Sequence, residues 1–76
     1  LDPGAILAVQ NRKSLLAVGV RKVKGDFEKG DVIELVDSQA NVIALARTKY
    51  AAAAIRENLQ TVNFEIAHAD EIVVIS

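Results

Sequence analysis

Two glycines bracket the turn Gly25-Asp26-Phe27-Glu28-Lys29-Gly30-Asp31, and apolar segments run into it and out of it. Glycine adopts positive φ without a Cβ clash, and Asp26 and Asp31 can hydrogen-bond the turn backbone, so the chain reverses here. Ahead of the turn lies Ser14-Leu15-Leu16-Ala17-Val18-Gly19-Val20, with a first strand expected over Val18 to Lys24. Val18 and Val20 share one face of it and Val23 falls on the other, a register break that a bulge or strong twist produces in a small barrel. After the turn comes a second strand, Val32 to Val36, closed by Asp37-Ser38. Phe27, between the glycines, is expected to fold the loop back onto the core. The pattern describes one corner of a small barrel. It speaks of fold rather than of chemistry.

The rest of the chain fits that corner. Asp2 is a good N-cap and Pro3 suits the first helical position, where its missing N–H costs nothing. Ile6 and Val9 share a face with Leu7 beside them, and the pattern fades at Asn11, which predicts a helix of about two to three turns. Arg12, Lys13 and Ser14 then connect to Leu15-Leu16, which return to the core. Asp37 to Asn41 reads as a hairpin connection without glycine. A third strand is expected over Val42 to Thr48, with Ile43 and Leu45 on one face and Val42, Ala44 and Ala46 on the other. Alanines on a strand face predict close approach of another element. Ala51 to Leu59 reads as a helix, with Ala51, Ile55 and Leu59 as its apolar stripe. Val62 to Ile66 alternates as a short strand, and Ile72 to Ile75 reads as a fully buried closing strand. The fold class is therefore mainly β with two short helices, in one domain over residues 1–76.

Size and charge narrow the function. A chain of 76 residues buries only about 60% of its unfolded surface, so its core has little margin. Aromatic residues make up 4% of the chain (Phe27, Tyr50 and Phe64), too few for a platform that stacks single-stranded bases. Nine Lys and Arg against ten Asp and Glu give a net charge of −1, without the basic excess of a dedicated nucleic-acid binder. The chain has no cysteine, which excludes disulfides and thiolate metal sites and suits a reducing, cytoplasmic setting. No apolar run approaches the ~20 residues of a membrane span, and no signal peptide is evident at the start. Because the chain opens on Leu1 rather than Met, it is expected to be a piece of a larger protein.

Candidate chemistry is sparse. His68 and Asp70 lie two positions apart with Glu71 adjacent, but a lone imidazole without a second imidazole or thiolate is a poor zinc site. His68 is expected to hydrogen-bond a turn instead. Asp26, Glu28 and Asp31 crowd one turn with Lys29 among them, which reads as a solvated turn rather than an acid–base pair. Gly25 to Gly30 lacks the Lys-Ser/Thr pair of a phosphate loop and leads into a strand. No nucleophile, base and acid stand at believable spacing. The cations fall into Arg12 and Lys13, then Arg21, Lys22 and Lys24, then Arg47 and Lys49. The first and third strands could set some of them side by side for phosphate contact. Asp26, Glu28, Asp31 and Glu34 balance them, so they read as solvated charges. No residue is read as catalytic and none as a metal ligand.

Gly4-Ala5, Lys13-Ser14-Leu15-Leu16, Gly19-Val20, the run Gly25 to Val32, Ile43-Ala44, Tyr50, and His68 with Asp70 and the strand Ile72 to Ile75 together resemble a PUA domain. More narrowly, the order and spacing from Asp2 to Ile75 resemble the C-terminal PUA domain of glutamate 5-kinases. The resemblance implies a PUA-like mixed-strand pseudo-barrel whose first strand precedes Asp2, with only Leu1 of it present. It implies a parent enzyme that moves the ATP γ-phosphate onto the side-chain carboxylate of glutamate with Mg²⁺, the first committed step of proline synthesis. That chemistry belongs to an amino-acid-kinase domain on the N-terminal side, so ATP and Mg²⁺ are expected there and no cofactor here. The implied partners are that kinase domain or neighbouring subunits, with RNA as the alternative and no membrane.

In RNA-binding PUA domains, glycines near the first helix and the third strand let a phosphate backbone come close. By that resemblance Gly4, Arg12, Lys13, Arg47 and Lys49 are the candidate RNA-contacting residues. Departures from the family pattern weigh toward an accessory, regulatory role. Ala44-Leu45-Ala46 stands where the family usually has Ala-Arg-Gly, so Leu45 removes a cation and Ala46 is expected to put a methyl in the way. Ala51 and Ala52 replace hydroxyl residues after Tyr50, and the segment from Ile55 to Ile66 is shorter than the usual kinase tail.

Overall fold

The structure, a computed structural model, describes residues 1–59 and 61–75. Helix α1 spans Pro3–Gln10, with Pro3 in the first turn and the Asp2 carboxylate accepting the Ala5 N–H at 2.8 Å. A cap of this kind is worth about 1 kcal/mol. Ala5 and Val9 turn inward, Ile6 packs against the core, and Leu7 faces solvent. Gly19 lies directly beneath: a Cβ there would stand 2.6 Å from the Ala5 Cβ, so the helix can settle only on a glycine.

Strand β1 is only Leu15–Leu16, and Ala17–Gly19 is a 3-10 turn. The first strand expected over Val18 to Lys24 is therefore not formed. The Ala17 carbonyl takes the Val20 N–H at 3.0 Å and turns the backbone aside. Val18 is left exposed while Val20 is buried, so the two valines share no inner face.

Strands β2 (Val32–Val36) and β3 (Val42–Arg47) form the antiparallel hairpin the alternation predicts, with Val32 opposite Arg47, Leu35 opposite Ala44 and a bulge between Leu35 and Val36. In the connection, the Asp37 carboxylate accepts the N–H groups of Gln39 and Asn41, each at 2.9 Å. This Asx arrangement does the work of a glycine turn. Helix α2 covers Ala52–Glu57, shorter than expected, with Ala52 and Ile55 buried. Strand β4 (Glu65–Ala67) begins later than the alternation suggested, because Asn63 is left-handed at φ 65° and Val62 is exposed. Strand β5 (Ile72–Val74) pairs with β3 on the side away from β2. It is not the fully buried strand expected. An edge strand covered on one side only leaves Val73 at 66% and Ile75 at 53% exposure.

The sheets are β1–β4 and β2–β3–β5, so β3 is central. Ala44 and Ala46 are buried on it, as their small side chains predict, among Val9, Leu15, Leu35, Ile55 and Ile66. Gly25 and Gly30 take φ values of 74° and 90°, and Phe27 packs against the core between them. Asp31 accepts the Glu28 N–H at 2.9 Å as expected, whereas Asp26 instead meets Arg56. Short strands, two helices and a curled pair of sheets make up the pseudo-barrel.

Candidate functional site

The five candidate residues fall into two groups on the surface. Gly4, Arg12 and Lys13 belong to the α1 end. Gly4 lines a shallow recess of about 250 Å³ with Ser14, Leu16, Val18 and Gly19. A Cβ at Gly4 would meet only the Asp2 carboxylate, at 3.4 Å, so the packing does not demand glycine there. Arg12 takes a left-handed φ of 61°, and the N–H groups of Arg12 and Lys13 close the helix on the carbonyls of Val9 and Ala8 at 3.1 and 2.9 Å. Both side chains are exposed. Among the described residues neither makes a hydrogen bond or ion pair, and both sit where the α1 dipole favours positive charge.

Arg47 and Lys49 leave the far end of β3, and each has found a carboxylate. Arg47 Nε lies 3.4 Å from Glu71 Oε2, and its guanidinium also donates to the Gly30 carbonyl at 3.3 Å. Lys49 Nζ donates to Glu65 Oε1 at 3.0 Å. That hydrogen bond holds the Glu65 carboxyl below the usual carboxylate range, opposed by partial burial and helped by the Ser14 hydroxyl and by His68. The same pairing pushes the Lys49 ammonium upward. Ser14 joins the two groups, since it also accepts the Ala69 N–H at 3.1 Å. Lys13, Ser14, Glu65 and Lys49 therefore follow one another along a rim whose cations and carboxylates alternate.

Such a rim is a poor trap for phosphate. An incoming anion must displace Glu65 and Glu71 before it can use Lys49 or Arg47, and exposed pairs exchange partners at little gain. The expected obstruction by Ala46 is not there either. Ala46 is buried between Ile33 and Ile72, so its methyl belongs to the core. His68 does what was expected of it: Nδ1 accepts the Asp70 N–H at 3.1 Å and orders the 3-10 turn Ala69–Glu71. Tyr50 stacks at a tilt on Phe64, ring centroids 4.4 Å apart. Among the described residues no group of three or more His, Asp or Glu side chains converges as a metal site would require.

Sequence reasoning missed three partners. Glu65 and Glu71 neutralise the β3 cations, and Arg56 reaches from α2 to the carbonyls of Val23 and Gly25 and to Asp26 Oδ1 at 3.5 Å. Glu65 directly precedes a buried residue on an alternating strand, and that was the only signal for it in the chain.

The model of the PUA domain matches residues 1–69. The chain belongs to the PUA domain family. Its relatives include the glutamate 5-kinase of Corynebacterium jeikeium, 43% identical over 58 residues that make up 75% of this chain and 15% of the relative. The glutamate 5-kinase of Thermobifida fusca is 39% identical over 88 aligned positions, covering 99% of this chain and 23% of the relative. That of Acinetobacter baumannii is 42% identical over 52 residues, 67% of this chain and 14% of the relative. This PUA domain thus spans roughly a seventh to a quarter of the length of the relatives it matches. No helix among the described residues is long and apolar enough to cross a membrane.

Proposed function

We propose that residues 1–76 are one domain, the accessory PUA module of a glutamate 5-kinase-like enzyme, and that it performs no reaction itself. ATP-dependent phosphorylation of glutamate, with its Mg²⁺, belongs to the amino-acid-kinase part of such a parent. The module acts through contacts with that part or with neighbouring subunits and tunes assembly or feedback by proline. The similarity to glutamate 5-kinases across most of the chain carries this reading. The pairing of Arg47 with Glu71 and of Lys49 with Glu65 supports it, because a rim of alternating charge is suited to protein contact. The experiment is to assay the parent with and without residues 1–76. A changed proline response or oligomer mass is the expected result, and unchanged kinetics, feedback and mass would remove the regulatory role.

RNA binding is the second reading, favoured by the exposed Arg12 and Lys13, whose side chains have no partner among the described residues and which precede Ser14 of the Gly4 recess. It requires binding that falls steeply with salt and weakens when Lys13 and Arg47 become alanine. Absence of binding to structured RNA at low salt would exclude it.

A further inference from the structure

Strand β5 forms one margin of the β2–β3–β5 sheet, and its register decides which backbone groups stay open. It runs against β3 in antiparallel register, with Val73 opposite Leu45 and Val74 opposite Ala44. The Ile75 N–H donates to the Ile43 carbonyl at 2.9 Å. Bonded and non-bonded pairs alternate along an antiparallel ladder, so Val73 also faces β3 while Val74 turns its N–H and C=O outward. Among the described residues neither backbone group of Val74 has a partner. The outward N–H of Ile72 is already taken by the Ala69 carbonyl. The side chains along this margin are apolar. Val73 lies on the sheet face away from buried Ala44 and Ala46, and Ile75, two positions on, shares that face; both are exposed.

Sheet margins usually carry a charge, a proline or a bulge that stops a second strand from adding. Ile72 to Ile75 has no charge and no proline, and its pairing with β3 has no bulge. The nearest charges on the same face, Arg47 and Glu71, are paired with each other at 3.4 Å. We propose that this margin is a contact between two copies of the chain, β5 against β5, antiparallel about a two-fold axis at Val74. The contact is self-complementary, as a two-fold interface must be. Each Val74 gives its N–H to the other's carbonyl, and Val73 of each copy lies opposite Ile75 of the other. No like charges meet on the paired strands. A second β5 brings the same free donor, the same free acceptor and the same uncharged flanks, so it fits without any further feature. Two such short strands cover far less than the roughly 800 Å² per partner of a stable interface. The contact therefore joins subunits that the rest of a parent enzyme already holds close.

This inference rests on the reading of the domain as a module that touches neighbouring subunits, and its test separates the two. Because residues 1–76 contain no cysteine, Val74→Cys places a single thiol of this domain on the axis. Residues of a bonded antiparallel pair stand about 5.5 Å apart at Cα, within the span of a disulfide. The parent enzyme carrying Val74→Cys is oxidised with diamide, and its cross-links are followed by peptide mass spectrometry. The substituted residues of two copies should join about tenfold or more faster than those of a Val18→Cys parent, whose thiol is exposed on another element. Adding Val73→Lys, at an exposed position, should slow that link by about tenfold, since a lysine guards a sheet margin. Equal rates for Val74→Cys and Val18→Cys, or a rate indifferent to Val73→Lys, overturn the contact. So does a disulfide from the Val74→Cys position to the kinase part, which would then hold the occupant. A parent whose proline response needs residues 1–76 but which fails these tests loses the contact and keeps the accessory role. Should Val74→Cys fail to fold, exchange of the Val74 amide in the otherwise unsubstituted parent gives the same answer. Protection that Val73→Lys abolishes supports the contact, and exchange at the same rate with and without Val73→Lys refutes it.

Discussion

The β2–β3–β5 sheet and the segment Val20–Lys24 are built from similar residues, yet only the first becomes a sheet. Val32-Ile33-Glu34-Leu35-Val36 meets its partner after a five-residue connection that Asp37 organises. Val20-Arg21-Lys22-Val23-Lys24 also carries β-branched residues, but among the described residues it pairs with no strand and stays a lip. Strand propensity expresses fit to a neighbour more than a preference of the isolated backbone. The difference between the two regions is therefore one of available partners.

The largest expected effects lie on the paired side. Leu35→Ala or Ile55→Ala should cost about 2–5 kcal/mol in urea unfolding, because each empties a site in a small core. Val23→Ala on the lip should cost less than about 1 kcal/mol. Similar losses at Leu35 and Val23 would erase the distinction. Gly19→Ala comes next, at about 1–3 kcal/mol in thermal unfolding, since its methyl collides with Ala5 and α1 must shift.

Arg56→Ala sharpens the contrast from the other side. It releases the Val23 and Gly25 carbonyls and Asp26, so proteolysis within Val23–Phe27 should accelerate while amide exchange in β3 stays as it was. Faster exchange or cleavage across the whole domain would mean that Arg56 holds more than the lip.

The smallest effect is electrostatic. Asp37 is held below the usual carboxylate range, first by the Asn41 N–H, and Glu65 first by Lys49. A depressed folded pKa contributes stability above the unfolded value, which is lost as pH falls through the folded one. Acid titration should therefore weaken the domain modestly from about pH 4 downward. Asp37→Asn should remove part of that slope. At the opposite end, the raised Lys49 pKa gives a contribution that is present below the ordinary lysine value and fades at strongly alkaline pH. Added salt should screen this exposed pair, and unfolding curves that ignore both salt and Lys49→Gln would show that it contributes nothing.

Local features were legible in the chain. The Asp2-Pro3 start of α1, the two-glycine turn, β2, and the inward alanines of β3 each follow from residues within a few positions of one another. The lip, the exposed β5 edge and the ion pairs of Arg47 and Lys49 did not, because each depends on what a distant segment offers. Whether Val18 to Lys24 pairs is decided by whether another strand edge lies beside it, and among the described residues it joins neither sheet. Whether Lys49 is free for phosphate is decided by Glu65, on a strand beyond α2. The resemblance to a PUA domain was legible because its motifs are local, and the family match bears it out.

The contrast between the β2–β3–β5 sheet and the lip is tested most directly by backbone amide exchange in the 76-residue chain, read residue by residue. Val42 to Arg47 should be protected by roughly a thousandfold or more, the factor that about 4 kcal/mol of opening free energy gives, while Arg21 to Lys24 exchange within about tenfold of an unstructured chain. Equal protection of the two segments would contradict the account, because Val20–Lys24 would then be part of a sheet.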